Sequence, residues 1–157
     1  QMPMALVGGA LTQVLYSKMS KGEIKDLPNL LYKTIIRCAL IGFLPFCILY
    51  FYSEEIFTFV FGATWKVTGE IVVVLFPWLY LNFITMPISN TFIVLNKQEI
   101  MLYFSVFYTI IPLSIFFIFK EVSFLKLLNI VSLSMTTLLV CFIFLVIYTV
   151  KKEIQKR

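Results

Sequence analysis

The sequence predicts an all-α protein, a polytopic transmembrane helix bundle of about five helices. Three observations carry that prediction. Residues 71–95, 100–119 and 127–150 are uncharged and apolar, and 34–52 is apolar with a single arginine inside it; a hydrocarbon core of roughly 30 Å is crossed by about 20 such residues at about 1.5 Å each. The chain of 157 residues is 61% hydrophobic and 13% charged, with a mean hydropathy of +0.96, whereas a soluble domain is about one quarter charged. The charges fall between the apolar stretches, so they mark loops and helix ends.

The elements follow in order. Residues 2–17 are uncharged but reach only about 24 Å as a helix, and the chain opens on Gln1 without the basic flank of a secretory signal. The expectation is the tail of a helix that starts upstream, in a C-terminal fragment of a longer protein. Residues 18–29 alternate basic and acidic side chains and reach Pro28, a solvated connector into the helix 34–52. The connection 53–70 holds Ile56-Phe57-Thr58-Phe59-Val60-Phe61, then Gly62 and Trp65. It is too short to span and too apolar for water. It reads as an interfacial or re-entrant segment with Trp65 as the interfacial anchor, or as an extension of the preceding helix with its aromatics at the headgroups. The helix 71–95 comes next. The polar turn 96–99 and the turn 120–126 connect the helices 100–119 and 127–150, as expected of antiparallel neighbours.

Charge placement predicts the orientation. With the first segment starting outside, Lys18, Lys21, Lys25, Lys33, Arg37, Lys97, Lys151, Lys152, Lys156 and Arg157 lie on or near the inner side. Only Lys66, Lys120 and Lys126 lie outside. That is the positive-inside pattern, with a cytoplasmic C-terminus. The net charge of +5 is therefore topological, and no nucleic-acid partner is implied.

Several chemistries find no residues here. There is no His, and Cys38, Cys47 and Cys141 are isolated within apolar segments, without metal-ligand spacing or a disulfide framework. The glycines lack phosphate-loop and dinucleotide spacing, so no cofactor is implied. Every carboxylate is in a loop or at a helix end, which leaves no intramembrane acid for proton coupling and no catalytic pair within the membrane. Glu54 and Glu55 are the only adjacent acids.

What remains is polar side chains inside apolar helices. Trp78, Asn82, Thr85 and Ser89 recur at spacings of four, three and four, one face of a helix that Asn96 continues. An amide or hydroxyl buried in hydrocarbon without a partner costs a few kcal/mol, so this face meets either a neighbouring helix, as packing glue, or an aqueous path for a polar solute. Pro77 and Pro87 on the same helix each remove a backbone donor and predict a kink or break, which is ordinary architecture or the discontinuous helix of a transport site. Pro45 and Pro112 place comparable bends in two other helices. Asn129, Ser132 and Thr136 share a face read as packing. Arg37, the one charge well inside an apolar run, either snorkels to the interface or faces the interior and holds an anion.

The stretch Phe61-Gly62-Ala63-Thr64-Trp65-Lys66-Val67-Thr68-Gly69, followed by Leu75-Phe76-Pro77, Pro87-Ile88-Ser89-Asn90 and Leu95-Asn96-Lys97-Gln98, resembles the C-terminal part of the Wzx-type polysaccharide flippases. These belong to the multidrug/oligosaccharidyl-lipid/polysaccharide exporter superfamily. Residues 3–21 are similar to the same family. The resemblance implies a bacterial inner-membrane protein of about a dozen helices in two lobes around a cavity, this chain supplying most of the second lobe. It further implies translocation of undecaprenyl-pyrophosphate-linked oligosaccharides from the cytoplasmic to the external leaflet for O-antigen or capsule. The partners implied are the lipid bilayer and a lipid-linked oligosaccharide, with room for other polysaccharide-assembly membrane proteins. The substrate-path candidates are Arg37, Asn82, Thr85, Ser89 and Asn96, Arg37 alone being cationic. A drug or ion exporter of the same superfamily, or a membrane-embedded glycosyltransferase or polymerase, stands as the alternative.

Overall fold

In the computed structural model the protein is all-helical, with no strand among the residues described, which are 12, 13, 16, 17, 19 and 24–156. A 3₁₀ turn, Ile24–Asp26, leads into α1 (Leu27–Phe61), and a second, Ala63–Trp65, joins it to α2 (Lys66–Ile88). The short α3 (Thr91–Val94), then α4 (Gln98–Ile118) and α5 (Phe124–Gln155), complete the order. Four segments, Leu27–Phe61, Ala63–Val94, Gln98–Ile118 and Phe124–Gln155, are long and apolar enough to cross a membrane. This is the architecture of a multi-pass membrane protein. The helix expected over 2–17 lies largely outside the described residues.

The helices outrun the apolar stretches that announced them. α1 begins at Leu27, with Pro28 in its first turn, instead of at residue 34. Proline suits that turn because the donor it lacks would have no partner there. α5 continues to Gln155 through Lys151, Lys152 and Glu153, since such residues are good helix formers in water as well. Hydropathy reports the part of a helix that lies in lipid, and the hydrogen-bond ladder runs past it.

Of the two readings of the connection 53–70, the structure has the extension of the preceding helix and not an interfacial or re-entrant segment. Residues 53–61 are a helical continuation of α1 beyond one non-helical residue, Tyr52 (φ −124°, ψ 15°). The helix therefore changes direction where the apolar stretch ends. The chain then turns at Gly62, whose φ of 97° and ψ of 169° lie in a region reserved for glycine. Phe61 and Trp65 pack rings across that turn with centroids 5.3 Å apart. Gly69 is buried where α2 meets α1 just past the bend, and a Cβ there would stand 2.5 Å from Glu54 Cα and 2.6 Å from its backbone nitrogen. The buried Ser53 donates its hydroxyl to Gly69 O at 3.0 Å, and Lys66 reaches Glu54 at 3.6 Å on the surface. The sequence element Phe61-Gly62-x-x-Trp65-x-x-x-Gly69 is thus a clasp between two helices.

Below the clasp α1 and α2 share an aromatic seam. Phe46 packs edge-on against Phe76 and Tyr80, at 6.0 and 5.3 Å between centroids, and Tyr50 lies 4.9 Å from Phe76. Tyr80 donates its hydroxyl to Ala39 O at 2.9 Å. A second cluster, built on Leu27, Leu31, Ile88, Phe92, Phe142, Val146 and Val150, ties the start of α1 and the end of α2 to the end of α5. α4 buries no residue and lies at the margin.

The kink or break expected in the helix 71–95 falls just after Pro87. α2 stops at Ile88, and α3 is a separate turn ending in a left-handed Asn96 (φ 53°). Lys97 N donates to Phe92 O at 2.7 Å and Asn96 N to Ile93 O at 3.1 Å, the paired bonds that terminate a helix when its next residue is left-handed. Lys97 then meets Glu153 of α5 at 3.5 Å. The start of α1, the α3–α4 turn and the end of α5 therefore share one end of the bundle, with Lys25, Lys33, Arg37, Lys97, Lys151, Lys152 and Lys156. Lys66, Lys120 and Lys126 fall at the other end.

Replacing Gly69 with Ala drives a methyl into the α1 backbone. It is expected to cost about 2 kcal/mol, within the range of overpacking, seen as a lower melting temperature of the detergent-purified protein. An unchanged melting temperature would show that the two helices are not clasped there.

Candidate functional site

Hydroxyls on membrane helices commonly bond the carbonyl three or four residues back, which satisfies them without a second helix. This chain does so throughout. Thr85 donates to Leu81 O at 2.9 Å and Ser89 to Met86 O at 2.8 Å. Across the way Ser105 donates to Met101 O at 2.8 Å and Thr109 to Ser105 O at 2.9 Å. Among the described residues the direct side-chain bonds between long helices are Ser53 to Gly69 O, Trp78 to Tyr108 and Tyr80 to Ala39 O. Within the polar stripe of α2, Trp78 bonds the neighbouring α4, whereas Thr85 and Ser89 turn back on their own helix and, among the described residues, no bond of the Asn82 amide is found.

Those side chains line a groove of ≈ 300 Å³ between α2, α4 and α5. α2 contributes Asn82, Thr85, Met86 and Ser89. α4 contributes Met101, Phe104, Ser105, Tyr108 and Thr109, and α5 contributes Leu139 and Phe142. Each hydroxyl that donates to its own helix keeps lone pairs that accept, and the exposed Asn82 amide offers both functions. The remaining wall is apolar and aromatic, with Phe104 and Phe142 in contact at 4.5 Å between centroids. Such a groove can hold a neutral, hydroxyl-rich solute, its polar edges on the stripe and its apolar faces on the rings. No cation or carboxylate lines it.

Trp78 of α2 bonds Tyr108, one of the residues that line the groove. Its indole Nε1 donates to Tyr108 OH at 2.7 Å, joining α2 to α4. α4 buries no residue fully; this bond, the Phe104 and Phe142 contact, and the packing of Ile100 and Met101 on the second cluster hold it against the bundle.

The remaining sequence candidates lie elsewhere. Asn96 does not continue the stripe. The chain leaves α2 after Ile88, and Asn96 is an exposed turn residue whose left-handed backbone is its evident role, asparagine being among the few side chains that tolerate it. Arg37 is exposed on α1, a helix that does not border the groove. It begins the uncharged run 38–53, about 24 Å long, so it stands at the edge of the span, consistent with snorkelling. Pro77 and Pro87 both sit within α2, whose dihedrals stay helical; the break comes at Ser89 and Asn90, two residues after Pro87. The non-helical residue of α1 is Tyr52, seven positions past Pro45. Trp65 is about half exposed beside Phe61, as an interfacial side chain would be. Glu54 forms a surface ion pair with Lys66 at 3.6 Å. On α5, Ser132 is buried with no hydrogen-bond partner among the described residues, and Asn129 is exposed.

The sequence reading missed the α4 half of the groove. Ser105, Tyr108 and Thr109 stand at spacings of three and one, which is itself a helical face and was there to be read.

With the geometry in hand, the class is that of a multi-pass helical membrane protein with an open, largely apolar groove edged by polar side chains. Compared with known proteins, the chain matches no family model, no curated protein and no solved structure.

Two measurements check this site. Replacing Asn82 with Leu is expected to leave the melting temperature unchanged or higher, and a loss above about 1 kcal/mol would restore a packing role to the amide. A double-mutant cycle of Trp78→Phe and Tyr108→Phe is expected to give a coupling of about 0.6 to 1.7 kcal/mol, the range of interhelical bonds in membranes. Additive single effects would mean that the two helices are not joined through these side chains.

Proposed function

We propose that this chain forms part of a carrier that moves lipid-linked oligosaccharides from the cytoplasmic to the external leaflet of a bacterial inner membrane during surface polysaccharide assembly. The observation that carries this reading is the groove, where Asn82, Thr85 and Ser89 on α2 face Ser105, Tyr108 and Thr109 on α4. A glycan cannot enter hydrocarbon with its hydroxyls unpaired, because each costs a few kcal/mol. A corridor of amides and hydroxyls flanked by rings lowers that cost without binding tightly, since each neutral hydrogen bond contributes only about 1 kcal/mol.

Two further observations support it. The resemblance to the Wzx-type flippases rests on residues 61–98, and that stretch supplies the clasp, the stripe-bearing α2 and the Asn96 and Lys97 turn. The gathering of lysines at the end of the bundle that holds the end of α5 supports, under the positive-inside rule, the reading of that end as cytoplasmic. Among the residues that line the groove there is no carboxylate for an ion-coupled drug exporter and no acid pair for a glycosyltransferase, so the groove favours neither alternative. The pyrophosphate of the cargo needs a cation that the groove does not supply.

The test is complementation of a flippase-null strain by the full-length protein, read as surface polysaccharide and as accumulation of inner-leaflet lipid-linked repeat units. The intact protein is expected to restore the polysaccharide. Asn82→Leu and Ser105→Phe lower translocation at least tenfold at normal protein levels, while Arg37→Gln leaves it unchanged. Full translocation by both groove variants, or no complementation by the intact protein, would refute the assignment.

A further inference from the structure

A second cleft lies away from the polar groove, between the start of α1 and the end of α5. Its volume is ≈ 270 Å³, and its walls include Pro28, Ile35, Ile147 and Val150, with Tyr32 and Lys151 as the polar members of the lining. An apolar cleft of this kind binds water poorly. On a helix bundle in a bilayer its natural filling is hydrocarbon.

Charge says what is attached to that hydrocarbon. The cleft is at the basic end, where Lys25, Lys33, Arg37, Lys97, Lys151, Lys152 and Lys156 outnumber Asp26, Glu99 and Glu153 among the described residues. Most cations near the end of α5 are already engaged. Lys97 and Lys156 both approach Glu153, at 3.5 and 4.0 Å, and Lys152 lies 5.9 Å over the Tyr148 ring. Lys151 is exposed, lines the cleft and has no carboxylate within 4.0 Å among the described residues. The exposed Tyr32 adds a phenol to the same lining.

We propose that this cleft binds an anionic phospholipid of the surrounding membrane, one acyl chain lying in the cleft and the phosphate held by Lys151 with Tyr32 beside it. An ammonium in the headgroup layer attracts an anionic lipid, while the apolar walls fix where the chain lies. The bound lipid fills the gap between α1 and α5 at the end where the second buried cluster ties them together. The inference rests on the membrane reading and is independent of the cargo.

The test uses the full-length protein, released from detergent and weighed intact by native mass spectrometry after titration with phosphatidylglycerol or phosphatidylcholine at equal concentration. The protein is expected to retain phosphatidylglycerol in preference to phosphatidylcholine. Lys151→Gln lowers that preference about fivefold, as expected for one lysine at a lipid surface. Ile147→Trp, which fills the cleft, lowers retention of both lipids, and Lys120→Gln at the opposite end changes nothing. Equal retention by Lys151→Gln, or an equal loss with Lys152→Gln, would overturn the site in favour of a diffuse basic surface. Displacement of phosphatidylglycerol by a polyprenyl phosphate, in a manner that needs Lys151, would overturn it by making the cleft a carrier-lipid site. Lipid binding without headgroup preference would sink this inference alone, whereas a protein monodisperse without detergent would sink the membrane reading beneath it.

Discussion

Hydrocarbon offers no hydrogen bonds, and this constraint shapes every level of the molecule. The backbone meets it by staying helical even across Pro45, Pro77 and Pro112. The serines and threonines meet it by donating to carbonyls one turn back, as Thr34, Thr85, Ser134 and Thr149 do. A hydroxyl satisfied in this way no longer needs a neighbouring helix and is left with acceptor capacity only. When several such residues share a face, the result is a polar surface that does not stick, which is what a passage for a sugar requires.

Helix association then falls to shape. With lipid as apolar as leucine, packing of small residues and rings does what the hydrophobic effect does in water. Gly69 lets the α1 backbone approach, Ser53 secures it, and the Phe46, Phe76 and Tyr80 rings continue the contact toward the other end. α1 and α2 form the stiff pair, and α5 is held to them through the cluster around Phe92 and Phe142. α4 has no such contact area and depends on Trp78, Phe142 and its end turns. The wall of the groove with the least packing is thus also the one that carries Ser105, Tyr108 and Thr109. A carrier that must release its cargo gains from having one wall bound weakly.

The two clefts divide the chemistry. The groove between α2, α4 and α5 is neutral and amphipathic, whereas the cleft between α1 and α5 is apolar with a cation in its lining. On the readings proposed above, a phosphate would go with the second and hydroxyls with the first. Arg37 borders neither, and its position at the end of the uncharged run 38–53 accounts for its presence without a ligand.

What the sequence determined by itself is everything governed by solvent. Hydropathy over about 20 residues is a local quantity set by lipid thickness, so the four long spans, their antiparallel order and the segregation of lysines were legible, as was the shared face of Asn82, Thr85 and Ser89. What only the tertiary structure decided depends on partners distant in the chain. Which members of the stripe bond a neighbouring helix turned on where they point: Trp78 reaches Tyr108, whereas Thr85 and Ser89 turn back. Whether residues 53–61 form a loop or a helix turned on the close approach of Gly69, 15 residues beyond Glu54. The end of α3 turned on a left-handed Asn96 whose neighbour Lys97 meets Glu153. A local pattern specifies which face is polar, and only the neighbouring helices specify what that face meets.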